Sequence, residues 1–146
     1  MPPDDIIGVI AFRVPGLPRA KERPRMSNRH GVGRVYTPQK TQNFEATVRL
    51  AAAQAMGGGI GFAGAVEVQM IVRLAPPPSS TPRQRDAMLS GSNLPAKRPD
   101  LDNVIKAVLD GCASVAFRND RDVVKLSAEK RYDVVTGVDV SIRALP

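Results

Sequence analysis

This sequence contains few of the residues that form disulfides, bind transition metals or build aromatic cores. Its 146 residues include one cysteine, one histidine and no tryptophan, with four phenylalanines and two tyrosines. A single cysteine, Cys112, excludes an intrachain disulfide. There is no zinc-binding spacing, P-loop or dinucleotide-binding glycine motif, so we expect no small-molecule cofactor. Aliphatic side chains must fill most of the core, and we expect Cys112 to be among them.

Long apolar runs and targeting features are also missing. The first five residues lack the positive charges of a signal peptide, and the apolar run after them ends at Arg13. No stretch approaches the roughly 18 apolar residues that a membrane span requires. We therefore expect a cytoplasmic protein without a membrane segment, formed by a single domain that spans residues 1–146 and buries its own core.

Positive charge is in excess and unevenly distributed. The formal net charge is +7 and the pI is about 10.2. The segment from Arg13 to Lys40 contains eight Lys or Arg residues and one acid, Glu22, so it carries 8 − 1 = +7. This concentration in one Gly/Pro-rich segment is typical of a surface that meets a polyanion. A solubilising loop is the alternative. We predict that residues 15–36 form one long functional loop.

The apolar pattern predicts an α/β (α+β) domain, with a mixed or antiparallel sheet of about four strands covered by two main helices. A strand is predicted over 6–14. The first main helix begins at Thr37-Pro38 and ends at the glycines 57–59. A strand over 66–74 follows, with alternate residues buried.

The second half of the sequence predicts two helices and two strands. Thr81 to Gln84 fits a capping box that begins a short helix ending near Leu89. The second main helix spans about 102–114. Strands follow over 122–133 and 138–145, and the turn at Thr136-Gly137 predicts that they pair as an antiparallel hairpin.

Two aspartates at the start of the second main helix form the strongest candidate for a chemical site. Pro99 makes the chain enter in extended form, and residues two apart in an extended chain point the same way. Asp100 and Asp102 would therefore repel each other unless a cation lay between them. Hard cations such as Mg²⁺ take carboxylate oxygens. Lys106 lies one helical turn after Asp102, within reach of it or of a bound phosphate.

A third carboxylate would complete such a site, and the segment 118–122 supplies two. Asp120 and Asp122 both precede the predicted strand, and Asp120 lies where the chain can turn back along the helix. This segment and the aspartate pair together predict a metal site of oxygen ligands.

Each of these residues also has an ordinary structural interpretation. Asp100 or Asp102 is suited to cap the helix, and Asn119-Asp120 is suited to form a turn. Lys106 is suited to be a solvated helix residue. The residue pattern alone leaves these alternatives open.

The same residues resemble a known family. The segments 99–110 (PDLDNVIKAVLD) and 117–124 (FRNDRDVV) are similar to the signature of the RusA Holliday junction resolvases, which are small bacterial and phage-encoded nucleases. Residues 23–25 and 33–38 and the short helix after Thr81 resemble phage-type members. The resemblance therefore spans nearly the whole chain.

The resemblance implies a homodimeric endonuclease that uses Mg²⁺, with Mn²⁺ as a substitute, and cuts four-way DNA junctions in recombination and repair. By motif position, the family's three metal-binding aspartates fall on Asp100, Asp102 and Asp120, and its lysine falls on Lys106. Some members have two adjacent acids before the paired valines, whereas this chain has Asn119-Asp120. The assignment of the third ligand to Asp120 over Asp122 rests on its position three residues before those valines.

We accordingly predict a catalytic segment over 97–124 and a basic DNA-binding loop over 15–36. His30 lies in this loop, and we expect it to contact phosphate or to have no role rather than to act as a general base. Contacts with DNA are expected from Arg19, Lys21, Arg23, Arg25, Arg29, Arg34, Lys97 and Arg98.

Two other functions are compatible with parts of the sequence. One is a basic nucleic-acid-binding protein without catalysis, in which the acids only cap a helix and shape a turn. A pure binder gains nothing from paired aspartates placed against phosphates, which favours the nuclease. The other is a Mg²⁺-dependent nuclease for different branched DNA, because no motif reports the shape of the substrate.

Overall fold

The computed structural model of the protein describes residues 8–16, 25–27, 34–36 and 39–146. It is a mixed α+β domain, as predicted. Its elements in chain order are the strands β1 (Val9–Pro15), β2 (Arg25–Ser27) and β3 (Arg34–Tyr36), helix α1 (Gln39–Met56), strand β4 (Val66–Leu74), helices α2 (Pro82–Ser90) and α3 (Leu101–Cys112), and strands β5 (Val123–Tyr132) and β6 (Gly137–Ala144).

Strand β4 lies inside the main sheet, whose order is β1-β6-β4-β5. It pairs antiparallel with β6 and parallel with β5. The predicted alternation along β4 is confirmed for the buried side, whereas on the other side Gln69 is exposed but Glu67 is buried. The buried side consists of Val66, Val68, Met70, Val72 and Leu74.

The predicted hairpin between the last two strands is wrong. Strands β5 and β6 have nearly the predicted bounds, but β4 lies between them. Their connection passes the end of β4, where the N–H of Asp133 donates to the carbonyl of Leu74 at 3.0 Å and the N–H of Ala75 donates to the Thr136 hydroxyl at 2.9 Å. A strand as apolar as β4 is most stable with neighbours on both edges. The short connection between β5 and β6 does not indicate that another strand lies between them.

The prediction of an uninterrupted loop over 15–36 is also wrong. Strand β1 extends to Pro15, and β2 pairs with β3 in a separate two-stranded antiparallel sheet. Three-residue strands are too short to show a period of two, so the sequence pattern missed them. The residues between these strands lie outside the described ranges.

The two main helices pack against each other and against the sheet. Phe44, Val48 and Ala52 of α1 are buried, as are Val104 and Val108 of α3. Helix α1 ends at the predicted glycines, two of which, at 57 and 58, have positive φ. The predicted start of α1 at Thr37-Pro38 lies outside the described residues.

Helix α2 begins with the predicted capping box. The Thr81 side chain accepts from the N–H of Gln84, and the Gln84 side chain accepts from the N–H of Thr81. None of its residues is buried. Across the described ranges, every helix is too short or too polar to span a membrane.

Candidate active site

The candidate site is built where the segment before α3 enters that helix. Asp100 holds the N-cap position, yet its side chain makes no capping hydrogen bond. Asp102 lies in the first turn, and its Oδ1 accepts from the N–H of Asn103 at 2.9 Å. Both aspartates are exposed. The capping alternative therefore does not account for the Asp100 carboxylate.

Helix α3 presents a polar stripe to one side. Its buried face contains Val104, Ala107, Val108, Gly111 and Cys112. Asp102 and Lys106 are exposed on the other side, and Asp110 continues the stripe at 26% side-chain exposure. The helix begins at Leu101, one residue before the predicted start, and ends at Cys112.

Lys106 connects this helix to the predicted third acid. Its Nζ donates to Oδ2 of Asp120 at 2.9 Å and lies 3.3 Å from Oδ1 of Asp110. The hydrogen bond from Lys106 holds the pKa of Asp120 below its ordinary range. Asp120, with Asp110 adding to it, raises the pKa of Lys106. Lys106 is thus a fully charged ammonium held between two carboxylates.

Asp120 and Asp122 lie in a single 3-10 turn, Asp120–Asp122, directly before β5. The side chain of Asn119 caps this turn by accepting from the N–H of Arg121 at 3.2 Å. Asp122 differs from Asp120 because its Oδ2 is buried and has no hydrogen-bond partner in the described part of the chain. The structure thus joins Asp120 to Lys106 and leaves an unsatisfied carboxylate oxygen on Asp122.

The chemistry of the donors in this region, rather than their spacing, fits a hard divalent cation. They are carboxylates, with no histidine and with the only cysteine in the core, and carboxylate oxygens are the ligands of Mg²⁺. An unsatisfied buried oxygen such as Oδ2 of Asp122 is one that a cation or water commonly satisfies. Within residues 8–16, 25–27, 34–36 and 39–146, no three potential ligands are close enough to form a metal cluster.

Comparisons with known proteins identify the family. The model of the family described as endodeoxyribonuclease RusA matches residues 15–143. The chain belongs to the RusA endodeoxyribonuclease family. It is also 32% identical over 136 residues to the uncharacterized protein YqaN of Bacillus subtilis (strain 168). These aligned residues make up 92% of this chain and 95% of that protein. Endodeoxyribonucleases are hydrolases that cut phosphodiester bonds within DNA, and the matched range includes the whole segment 97–124.

The basic residues predicted for this RusA-family chain are described only in part. Arg19, Lys21, Arg23 and Arg29, together with His30, lie outside the described residues. Arg25 and Arg34 are the first residues of β2 and β3, and their backbones are opposite Tyr36 and Ser27. Lys97 and Arg98 are exposed and directly precede the Pro99-Asp100 step. Their assignment to DNA stays a prediction.

Sequence reasoning missed Lys130 of β5. Its Nζ donates to the carbonyl oxygens of Lys97 at 2.6 Å and Pro99 at 3.0 Å. Lys130 is opposite the buried Val72 in the register with β4, on the helix-covered side of the sheet. The sequence did contain a signal for this role, because Lys130 alternates with Ala128 and Tyr132 on the side of β5 that faces the helices.

Cys112 is a core residue, as predicted. It is 1% exposed, and burial raises the pKa of its thiol to about 12. A protonated, enclosed thiol has no nucleophilic role in this RusA-family chain.

The helix-free face of the sheet carries arginines that are already paired with acids. Asp139 accepts from Arg13 at 2.6 Å and from Arg73 at 2.7 Å. Glu67, which is 6% exposed, pairs with Arg143. The Arg13 hydrogen bond lowers the pKa of Asp139, and the Arg143 hydrogen bond lowers that of Glu67. Three arginines here share two carboxylates, so each arginine is already engaged in an ion pair.

A shallow cavity of about 530 Å³ also lies on the sheet, away from the candidate site. It contains none of the predicted metal, lysine or DNA-contacting residues. Its lining comes from β1, β4, β5 and β6 and includes Ala11, Gln69, Ile71, Ser127 and Ser141. The candidate active site in 97–124 therefore lies outside this cavity.

Proposed function

We propose that this chain is a Mg²⁺-dependent endonuclease that resolves four-way DNA junctions by paired nicks and acts as a homodimer. One observation carries the proposal. In this RusA-family chain, the start of α3 carries the uncapped Asp100 and the exposed Asp102. Lys106 of the same helix forms an ion pair with Asp120 in the turn before β5.

Asp100, Asp102 and Asp120 would hold the cation through carboxylate oxygens. When bound, Mg²⁺ would activate a water molecule and neutralise charge that develops on the phosphate. Lys106 donates to Oδ2 of Asp120, and an ionised carboxylate has about four lone-pair sites, so this bond still leaves sites for a metal. An ammonium has three protons, so Lys106 has donors both for these acids and for a phosphate oxygen, whose developing charge it would stabilise.

The test uses a synthetic four-way junction, a flap and a linear duplex of matched sequence, each with Mg²⁺ and with EDTA. We expect cuts at the junction only with Mg²⁺. Cutting of flaps in preference to junctions would identify a nuclease for other branched DNA. Binding without any cutting would identify a non-catalytic binding protein.

Single substitutions locate the metal ligands. Asp100→Asn, Asp102→Asn and Asp120→Asn should each lose cleavage by orders of magnitude and still bind the junction, because Asn keeps the shape and removes the charge. Asp86→Asn on the exposed helix α2 makes the same charge change and is the control. The orphan oxygen of Asp122 defines the competing outcome. Loss of cleavage in Asp122→Asn with full activity in Asp120→Asn would move the third ligand.

The homodimer follows from the symmetry of the substrate. A four-way junction has approximate two-fold symmetry, and one site per chain makes one nick at a time, so two chains match the substrate. The wide apolar coverage of α3 does not support this proposal, since α1 and the sheet of the same chain cover its buried face. Mixed dimers of wild type and Asp102→Asn should nick one strand without resolving the junction. A monomer in light scattering, or full resolution by the mixed species, would contradict this assembly.

A further inference from the structure

We infer that Lys130 is a positioning residue that holds the Asp100 end of the candidate metal site, an inference that rests on the proposed function. Its ammonium joins β5 to the segment that enters α3, through the carbonyls of Lys97 and Pro99. The second carbonyl belongs to the residue bonded directly to Asp100. The Lys130 side chain therefore connects β5 to backbone oxygens that lie 31 and 33 positions earlier in the sequence.

The bonding of Lys130 is unusual for a lysine. Within the described part of the chain it forms no ion pair, and its hydrogen-bond partners are the two backbone oxygens. Its contact with Pro99 is partly buried. A partly buried ammonium is costly unless its protons are bonded, and here two carbonyl dipoles perform that task. This bonding needs a long side chain with several N–H donors at position 130. It also depends on the position of the 97–99 backbone.

Among the residues that the structure describes, the Asp100 side chain has no comparable anchor. It makes no capping bond, so its position follows from the backbone at Pro99. The same segment is fixed further back by the buried Pro95 and by Lys97, whose Nζ lies 5.6 Å from the centre of the Tyr132 ring. Two carboxylates that must share a cation repel each other before it binds. Holding the backbone next to them in advance lowers the cost of binding.

The test compares Lys130→Met, which removes the donors, with Lys130→Arg, which keeps them. Lys125→Met is the matched control. Lys125 is on the same strand, but its partner is Glu67, at 3.6 Å on the other side of the sheet. Binding of Mn²⁺ alone to each full-length protein is measured by electron paramagnetic resonance without DNA. The rate at which trypsin cuts after Lys97 reports whether the segment is held, independently of metal and of activity.

Loss of partners outside the ligand shell typically weakens metal binding by about 10-fold or more. We therefore expect Lys130→Met to bind Mn²⁺ about 10-fold more weakly and to be cut faster after Lys97, with Lys130→Arg and Lys125→Met close to wild type. Unchanged Mn²⁺ affinity in a folded Lys130→Met protein overturns the inference. An unfolded Lys130→Met protein also overturns it, because the residue would then serve global stability. If the wild type itself neither binds Mn²⁺ nor cuts, the proposed function is wrong, and the trypsin rates still report whether Lys130 holds the segment.

Discussion

Replacing Gly111 by alanine should destabilise the packing that orients α3. Gly111 lies where α3 meets α1. A Cβ added there would be 2.7 Å from both Cβ and Cγ1 of Val48 and 2.9 Å from the carbonyl oxygen of Glu45. Carbon atoms in ordinary contact are about 3.5–4.0 Å apart. The helices must therefore separate by about 1 Å to accept one methyl group.

The size of the effect follows from two opposing terms. Overpacking typically costs about 1–3 kcal/mol, and the upper end applies because a backbone oxygen and a Cβ cannot rotate away. Alanine in place of glycine in a helix contributes about 1 kcal/mol in the other direction. We expect the free energy of unfolding to fall by about 2 kcal/mol.

Urea unfolding followed by far-ultraviolet circular dichroism measures this change, because the chain has no tryptophan for fluorescence. The exchange of Ala53 for glycine on the exposed side of α1 is the control and should cost about 1 kcal/mol from helix propensity alone. A Gly111→Ala protein that is as stable as wild type, or more stable, would show that α1 and α3 are not in such close contact at this position.

Three further predictions concern the site and the basic segment. Lys106→Ala should lower the cleavage rate more than junction affinity, and a variant that binds poorly but turns over normally once saturated would contradict this. Because the folded pKa of Asp120 is lowered, its ion pair with Lys106 stabilises the fold above the unfolded pKa, and this contribution is lost as pH falls through the folded pKa. Acid titration of wild type against Asp120→Asn should show it, and identical pH profiles would refute it. Replacing Arg23, Arg25 and Arg34 with alanine should weaken binding and reduce the log–log salt slope by roughly 0.9 for each phosphate that is no longer neutralised, whereas an unchanged slope would separate this segment from DNA.

The sequence by itself determined the local elements of this protein. The alternation in 66–74, the capping box at Thr81 and the glycines after α1 are short-range patterns, and each produced the predicted element. The polar stripe of α3 was also readable, because helical spacing alone brings Asp102 and Lys106 to one side.

Tertiary structure decided which of these elements meet. Strand β4 lies between β5 and β6. Lys106 bonds Asp120, 14 positions away, and Lys130 bonds the carbonyl of Lys97, 33 positions away. Such contacts depend on which apolar faces bury each other and on which edge of β4 each strand occupies. Periodicity reports that a residue faces the core, but it does not report which partner lies there.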